Sequence, residues 1–398
     1  MVIVLSSLGL TSCVPNGDII KVDFGAQLGL KAPVEEKIPV AHYVHWPLTG
    51  LLAEDRVAVY NRPISVKIEN SVFSRPQTNI HRADVIIESE IEGGETRFNC
   101  MFHSDVPDIV GNVRSARMSD LWLVPQFNAL FFYSGANSDV LSRIRKSDIA
   151  DMSDDGGGDL FFRSNDTYAP HNLYLEIGKV FGSAKKEGYA IIDTNIEPIL
   201  FEPMNPDGTT GGAIADGSVE GAATESTEGS NIATTNNNSA TDTSNGQSTN
   251  TSGAAVATDF AWTPANIIDV QFSGASTSNW AWDASNRVYL RGQNGEPHME
   301  RTTNTQLTAK NVVVMYAVYT QMSKKDPAGS PTFDTTLGGS GKAIIFRDGM
   351  QLECTWNADQ TVKPYFTDAN GTRIPLDPGN TWFQIIRDGE SSAKVTIS

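Results

Sequence analysis

Two arginines three positions apart give the clearest chemical signal in this sequence. Arg114 and Arg117 flank Ser115, and the apolar spacing from Ser115 to Val124 is typical of a helix. Residues three apart lie on one face of a helix, so both guanidinium groups are predicted to lie together in its first turn. The helix dipole disfavours cations at that end. An anionic partner is therefore expected beside the arginines.

That anionic partner has two candidate sources. One is a bound phosphate or carboxylate, which guanidinium forks and the free N–H groups of a helical turn bind well. The other is a carboxylate of the chain itself, because Glu88, Glu90 and Glu92 alternate along a neighbouring predicted strand. The residues expected to support the site are Arg97, His103, Asp120, Arg163, His171 and Asn172, together with Glu88 and Glu92. Both sources remain open from the sequence.

A catalytic use of the same residues is the alternative to binding. Ser115 lies where a nucleophile beside an anion site would lie, but no Gly-x-Ser-x-Gly turn surrounds it and no histidine is spaced to activate it. The glutamates could supply the paired carboxylates of a glycosidase. The sequence shows no phosphate-binding loop, zinc signature or regular acidic calcium loop, so neither a metal nor a cofactor is predicted. Whether the chain is an enzyme stays open, with a non-catalytic role favoured.

The overall charge limits the class of partner. The chain has 398 residues and a formal net charge of -17. Nucleic-acid binding needs a basic face against the phosphates, so nucleic acid is excluded as a partner. Cys100 and Cys354 lie in alternating apolar stretches of different predicted domains. We expect both to be small core residues without a mutual disulfide.

The N-terminus has the pattern of an export signal. Met1 to Leu10 is an apolar run too short to span a bilayer, and Leu10-Thr11-Ser12-Cys13 resembles the bacterial lipobox. We expect residues 1–13 to be a lipoprotein signal peptide and Cys13 to carry lipid, which places the protein outside the cytoplasm on the outer face of the cell membrane. At least two acyl chains anchor such a protein stably. No Lys or Arg precedes Lys21, which predicts a start codon slightly upstream.

A low-complexity tract divides the rest of the chain. Residues 205–258 consist mainly of Thr, Ser, Asn, Gly and Ala, without any aromatic residue, Lys or Arg. Such a segment cannot bury a core, so it is predicted to be a disordered linker. It separates a first domain, 41–204, which follows a stalk at 14–40, from a second domain, 259–398. The alternative is a loop inserted into one fold, which applies if the two flanks pack together.

The two predicted domains differ in their elements. Strands are predicted at 63–69, 83–91, 97–103 and 128–133, and helices at 115–124, at 137–146 and from Asn172 to Gly188. This pattern predicts an α+β or α/β first domain with a mixed sheet covered by helices. The second domain has short strands between Gly, Asn and Pro turns and is predicted to be mostly β. Its Trp280, Trp282, Trp356 and Trp382 are expected in the core, with sugar or protein contact as the alternative.

The order and spacing of several motifs carry a resemblance. They are Trp46-Pro47-Leu48-Thr49-Gly50-Leu51, Ala83-Asp84-Val85, Glu92-Gly93-Gly94, Val113-Arg114-Ser115-Ala116-Arg117 and Pro170-His171-Asn172 in the first domain, and Lys310-Asn311-Val312, Trp356 and Pro378-Gly379 with Trp382 in the second. With these motifs the chain resembles the YerB-like lipoprotein family of Gram-positive bacteria. The resemblance implies a two-domain envelope lipoprotein and supplies no biochemical reaction.

Three functions are consistent with the sequence. The first is a binding module for an anionic component of the cell envelope. The second is a hydrolase or transferase that acts on cell-wall glycan or phosphodiester. The third is a scaffold for wall-synthesis enzymes. The expected partners are accordingly the membrane, through the lipid, and a wall polymer or wall-synthesis protein.

Overall fold

The N-terminal region alternates short strands with short helices. The computed structural model describes residues 45–154, 158–165, 167–204, 260–326, 328–389 and 393–398. The strands of this region are β1 (Ile64–Glu69), β2 (Val85–Glu90), β3 (Thr96–Phe102), β4 (Val110–Gly111), β5 (Leu130–Phe132), β6 (Ala150–Asp151), β7 (Phe161–Arg163) and β8 (Leu173–Leu175). Its helices are α1 (Asp120–Gln126), α2 (Ser138–Ile144) and α3 (Val180–Lys186), with single 3-10 turns such as Glu92–Gly94 between elements.

The C-terminal region is built from strands. They are β9 (Thr263–Pro264), β10 (Ile267–Gln271), β11 (Thr277–Asp283), β12 (Val288–Gln293), β13 (Glu296–Pro297), β14 (Thr308–Ala309), β15 (Asn311–Lys325), β16 (Pro331–Thr336), β17 (Gly339–Arg347), β18 (Met350–Ala358), β19 (Tyr365–Thr367), β20 (Thr381–Arg387) and β21 (Lys394–Ile397). The expected classes, a mixed sheet with few helices followed by a mostly β region, are confirmed.

One large sheet runs through both regions. Its strand order is β19-β18-β17-β15-β20-β2-β3-β1-β5-β6, with β16 beside β15 and β9 beside β18. The junction is the parallel pair of β2 and β20, in register from Val85 opposite Thr381 to Ser89 opposite Ile385. A second sheet has the order β13-β12-β11-β10-β21, and a third contains β4, β8 and β7. The flanks of the low-complexity tract are therefore hydrogen-bonded to each other.

The central strands of the large sheet, β1, β2, β3 and β20, are buried on both faces, and both faces combine the two regions. On one face Ile86 and Phe98 pack with Trp280 and Trp382, so the second sheet covers this side. On the other face Val85 and Ile87 join Phe383 and the apolar residues of α1 and α2. Successive residues of a strand point to opposite faces, which explains why the apolar run of β2 serves two cores.

Four of the predicted strands are confirmed, with ends that differ from the prediction by at most two residues. β1, β2, β3 and β5 match the predicted 63–69, 83–91, 97–103 and 128–133. Helix α2 confirms the prediction at 137–146, and Asn137 caps it by accepting hydrogen bonds from the N–H groups of Asp139 and Val140 at 3.0 and 2.9 Å. These elements have strong local signals, either β-branched strand residues or a side-chain cap.

Two helix predictions need correction. The helix predicted at 115–124 begins only at Asp120, so Arg114 and Arg117 lie in extended or turn backbone ahead of α1. The N–H groups of Arg114 and Ala116 bond to carbonyls of distant segments instead of helical ones. The helix predicted from Asn172 is wrong at its start, because 173–175 form β8 between β4 and β7, and helical backbone begins with a 3-10 turn at Ile177–Lys179 that leads into α3.

The structure describes the predicted core tryptophans and cysteines but not the predicted N-terminal and linker segments. Of the four tryptophans expected in the core, Trp280, Trp356 and Trp382 are buried and Trp282 is partly buried against the core, and Cys100 and Cys354 are free thiols. No helix of the described ranges is long and apolar enough to cross a membrane. The predicted signal peptide with Cys13, the stalk and the 205–258 linker lie outside the described residues. They stay predictions.

Candidate functional site

Two arginine side chains meet at one backbone carbonyl next to the large sheet, and a third arginine lies nearby. Arg97 of β3 donates from Nη1 to the carbonyl oxygen of Ser115 at 2.9 Å, and Arg117 donates from Nη1 to the same oxygen at 3.2 Å. Arg114 is near enough to lower the pKa of Arg97. Arg97, Arg114, Arg117 and Ser115 are called the arginine cluster below. The structure brings these four residues near one another, but on irregular backbone and a strand and not on the predicted helix.

Two carboxylates of the chain face this cluster. Glu92 Oε2 pairs with Arg117 Nε at 2.7 Å, which confirms one of the internal partners expected from the sequence. Glu69 Oε1 lies 3.4 Å from Arg114 Nε, a looser contact with a residue that the sequence did not single out. The remaining Arg114 contact, from Nη1 to the carbonyl of Pro170, is 3.5 Å long. Arg114 is therefore the least tightly held of the three cations.

Positive charge exceeds negative charge within the cluster. Arg97 is only 6% exposed, and its Nε has no hydrogen-bond partner within the described parts of the chain. Burial first, and then the charges of Arg117 and Arg114, hold the pKa of Arg97 well below its ordinary value. The part of this depression that comes from Arg117 and Arg114 is repulsion between like charges, which adds to the cost of burial. An anion placed among the guanidinium groups would relieve that repulsion.

A buried ion pair of Lys67 and Asp120 holds the backbone at Arg117 in place. Lys67 Nζ contacts Asp120 Oδ1 at 2.7 Å with both side chains fully buried, and Asn99 donates to the same oxygen at 3.0 Å. Asp120 Oδ2 accepts the backbone N–H of Arg117 at 2.7 Å. Asp120 thus positions the segment that carries Arg117, as its supporting role predicted. Lys67 was missed, although a lone lysine among alternating apolar residues of a strand was a readable signal.

Glu69 also holds a histidine. His171 Nδ1 lies 2.9 and 3.0 Å from the two carboxylate oxygens of Glu69, and Ser71 Oγ donates to Oε1 at 2.9 Å. Because Glu69 contacts both His171 and Arg114, it links the arginine cluster to the loop that ends at His171. His171 was among the expected supporting residues.

Asn172 and Arg163 organise that same loop. Asn172 Nδ2 donates to the carbonyls of Ser164 and Thr167 at 2.7 and 3.3 Å, and its Oδ1 accepts from Arg163 Nη1 at 2.8 Å. Asn172 therefore bridges a loop and does not cap a helix. Its amide suits this place because it donates and accepts at once.

Two expected members of the site lie elsewhere. Glu88 is fully buried and pairs with Arg291 Nη2 at 2.7 Å. His103 packs edge-on against Trp46, with ring centroids 5.0 Å apart, and burial lowers its pKa to about 4, so it is neutral at pH 7. Glu88 was assigned from strand alternation, which gives the side of a strand but not the neighbour across it.

The pair of Glu88 and Arg291 belongs to a polar network between the two regions. Arg291 lies over the rings of Trp382, Phe98 and Trp280, at 4.8, 5.3 and 5.5 Å from their centroids. Asn70 Nδ2 donates to Glu88 at 3.1 Å and to Gln293 at 3.0 Å. This network is structural, because its charges are enclosed by the apolar core between the sheets.

The described residues do not assemble a metal site or an activated nucleophile. They contain no group of three or more metal-ligating side chains within reach of one ion. Within the same ranges Ser115 Oγ has no hydrogen-bonded imidazole or carboxylate. Activation of a serine needs such a base at hydrogen-bond distance.

Comparison with known proteins agrees with this architecture. The N-terminal and C-terminal domains of a protein of unknown function, DUF3048, match residues 48–190 and 268–383. A Bacillus subtilis (strain 168) protein whose name describes a lipoprotein, YerB, is 26% identical over 352 residues, which are 87% of this chain and 87% of that relative. The crystal structure of YerB from Bacillus subtilis has the same fold, with a TM-score of 0.66 at 23% identity, covering 88% of this chain and 99% of that one.

The resemblance to the YerB-like family is thereby confirmed. The two matched domains occur in the expected order, and together they span more than half of the chain. The arginine cluster lies within the N-terminal match. The chain belongs to the DUF3048 family of proteins of unknown function.

Proposed function

We propose that this protein is a lipid-anchored lipoprotein that binds an anionic component of the cell envelope at the arginine cluster. One observation carries the proposal: the three guanidinium groups face two carboxylates, and the buried Arg97 has no carboxylate partner among the described residues. Guanidinium groups bind phosphate and carboxylate through paired hydrogen bonds. An incoming anion would supply the missing charge.

The cluster is reachable from solvent. The side chains of Arg114 and Arg117 are 21% and 20% exposed, and both keep donors that no carboxylate occupies. Arg114 is the best first contact because its pairing with Glu69 is loose. Arg97 then contributes from the buried side as a charge already in place, which reduces the ordering cost of binding.

The location rests on the N-terminal motif and on the relative. Cys13 ends a lipobox-like tripeptide, and the similar protein of Bacillus subtilis has a name that describes a lipoprotein. A lipoprotein on the outer face of the membrane meets the anionic polymers of the wall. A hydrolase at the same site is less favoured, because Ser115 Oγ has no base beside it in the described part of the chain.

The proposal is tested by titrating the full-length protein in detergent with inorganic phosphate and with a short glycerol phosphate oligomer. We expect saturable binding and a rise in melting temperature with the anion, by mass action. Arg114→Ala should weaken binding at least tenfold, because one guanidinium–anion contact of this type is worth about 1.5–3 kcal/mol.

Arg143→Ala is the matched control. Arg143 is an exposed arginine of α2 whose Nη1 lies 3.6 Å from Asp334 Oδ2, and it is not part of the arginine cluster. Its removal changes the net charge by the same amount and should leave the anion response unchanged. Equal anion responses in Arg114→Ala and wild type, or no response in wild type, would refute the proposal.

A further inference from the structure

A patch of exposed rings adjoins the arginine cluster. Phe73 and Tyr168 are 56% and 58% exposed, and the neighbouring Val72 is 65% exposed. The Phe73 and Tyr168 rings meet edge to face with centroids 6.2 Å apart, and both contact the His171 ring, at 5.2 and 5.3 Å. Phe73, Tyr168 and His171 are called the aromatic patch. Single exposed apolar residues are ordinary, but grouped exposed rings mark a binding surface.

Both loops that carry the patch are anchored by hydrogen bonds. On the Phe73 side, Ser74 Oγ donates to the Ser71 carbonyl at 2.9 Å, and Gln77 Nε2 donates to the Glu69 carbonyl at 2.8 Å. On the Tyr168 side, Asn172 holds the loop at Ser164 and Thr167, and Asn112 Nδ2 donates to the His171 carbonyl. The backbone beside both rings is therefore held in place, which favours affinity because less order is lost on binding.

The patch and the arginine cluster share one carboxylate. Glu69 receives His171 Nδ1 on one side and faces Arg114 Nε on the other. A ligand that contacts Arg114 therefore has rings beside it. With Nδ1 directed at Glu69, the Nε2 atom of His171 is the nitrogen left for a ligand, and in the neutral ring it accepts a hydrogen bond.

We infer that the ligand of this site is an acidic saccharide, in which a sugar ring carries a carboxylate or phosphate. This rests on the proposed function, which requires only an anion. The C–H face of a sugar ring is apolar and packs on aromatic side chains, while its hydroxyl groups need polar acceptors. Phe73 and Tyr168 would pack on the sugar face, His171 Nε2 would bond to a hydroxyl group, and Arg114 would bind the acidic group.

The chemistry separates this ligand from other anions. A glycerol phosphate chain has charge without a ring, and a neutral sugar has a ring without charge. Only a molecule with both uses the patch and the cluster together. An acidic sugar should therefore bind more tightly than a neutral sugar or a simple anion. It makes both sets of contacts while losing its translational freedom only once.

The test measures affinities of the full-length protein in detergent for four probes by saturation-transfer NMR and calorimetry. The probes are glucuronic acid, glucose 6-phosphate, glucose and inorganic phosphate. We expect the two acidic sugars to bind at least tenfold more tightly than glucose and more tightly than phosphate. The ratio of the two acidic sugars shows whether carboxylate or phosphate is preferred.

Variants of the patch decide the role of the rings. Phe73→Ala and Tyr168→Ala should each weaken acidic-sugar binding about 2- to 10-fold, the range expected for one aromatic contact, and should leave phosphate affinity unchanged. Val318→Ala, at an exposed valine of the C-terminal region that is 58% exposed, is the control and should change neither affinity. Unchanged melting temperatures confirm that the variants are folded.

The outcomes distinguish the two proposals. If phosphate binds and needs Arg114, but the acidic sugars bind no tighter or ignore Phe73 and Tyr168, the saccharide inference is overturned and the anion site stands. If wild type binds none of the probes, both fail. If the patch variants instead lose binding to phosphatidylglycerol vesicles while sugar affinity is unchanged, the patch contacts lipid and the saccharide inference is overturned.

Discussion

At the scale of single residues, carboxylates from two different segments hold the cations of the arginine cluster, because Glu92 pairs with Arg117 and Glu69 faces Arg114. Of the three glutamates that the sequence offered as internal partners, Glu92 pairs with the cluster, whereas Glu88 and Glu90 pair with arginines of the C-terminal region. Glu69 and Lys67 were missed because their contacts join β1 to segments that are 45 to 102 positions away in sequence, with Arg114, Asp120 and His171. Strand alternation gives a side chain's face, whereas its neighbour depends on sheet order.

Arg114 and Arg117 should contribute different amounts to the free energy of unfolding. Arg117 makes a 2.7 Å pair with a nearly buried Glu92 and donates to two carbonyls, so Arg117→Ala should lower the free energy of unfolding by about 1–3 kcal/mol. Arg114 has only long contacts, so Arg114→Ala should cost less than about 1 kcal/mol. Urea unfolding of both variants measures the difference. A larger loss in Arg114→Ala would contradict this ranking.

At the scale of elements, residue type and spacing predicted the strands of the N-terminal region at β1, β2, β3 and β5. They failed at 173–175, where pairing with neighbouring strands decides the structure. Leu173, Ile177 and Val180 have helical spacing, yet Leu173–Leu175 form a strand because β4 and β7 flank it. The shift matters for the site, since it turns Asn172 from a helix cap into the bridge of the 164–171 loop. Tertiary pairing of a short apolar run is not visible in its periodicity.

The bridging role of Asn172 gives a prediction about loop order. Asn172→Ala removes two donated bonds and one accepted bond, so it should cost about 1–3 kcal/mol and accelerate hydrogen exchange at residues 167–171. It should also weaken acidic-sugar binding, because Tyr168 and His171 lose their fixed arrangement.

Asn137→Ala is the matched control for that experiment. Asn137 caps α2, so its loss should cost about 1 kcal/mol of stability. It should leave exchange in the 167–171 loop as in wild type. If both asparagine variants change that loop equally, the effect of Asn172 is a general loss of stability and the bridging role is wrong.

At the scale of the whole molecule, the composition suggested two bodies while the sheet joins the regions into one. The low-complexity tract is recognised from its composition, and residues 205–258 lie between the two family matches, which end at 190 and begin at 268. The sequence could not show that β2 and β20 pair in parallel, because their contact spans nearly 300 positions. The sequence left open whether residues 205–258 link two independent domains or are inserted into one fold. The pairing of β2 with β20 favours the insertion.

The buried pair of Glu88 and Arg291 should make the junction sensitive to charge. Arg291→Met leaves an unpaired carboxylate between the sheets, where both side chains have no solvent exposure, and should cost about 3–5 kcal/mol. Adding Glu88→Gln removes that charge and should recover part of the loss. Denaturant unfolding of the single and double variants measures this. A double variant less stable than Arg291→Met would show that charge burial is not the cause.

Limited proteolysis decides how far the two regions depend on each other. The composition of residues 205–258 predicts ready cleavage there. Because β2 and β20 share hydrogen bonds and both sheet faces combine residues of the two regions, the cleaved fragments should remain associated in native buffer. Size-exclusion chromatography should show one particle of unchanged size, and urea should be needed to separate the fragments. Each fragment alone should unfold, because its sheet edge and half of its core would be exposed to water. Two folded fragments that separate without denaturant would instead establish independent domains, with the observed sheet junction too weak to hold them.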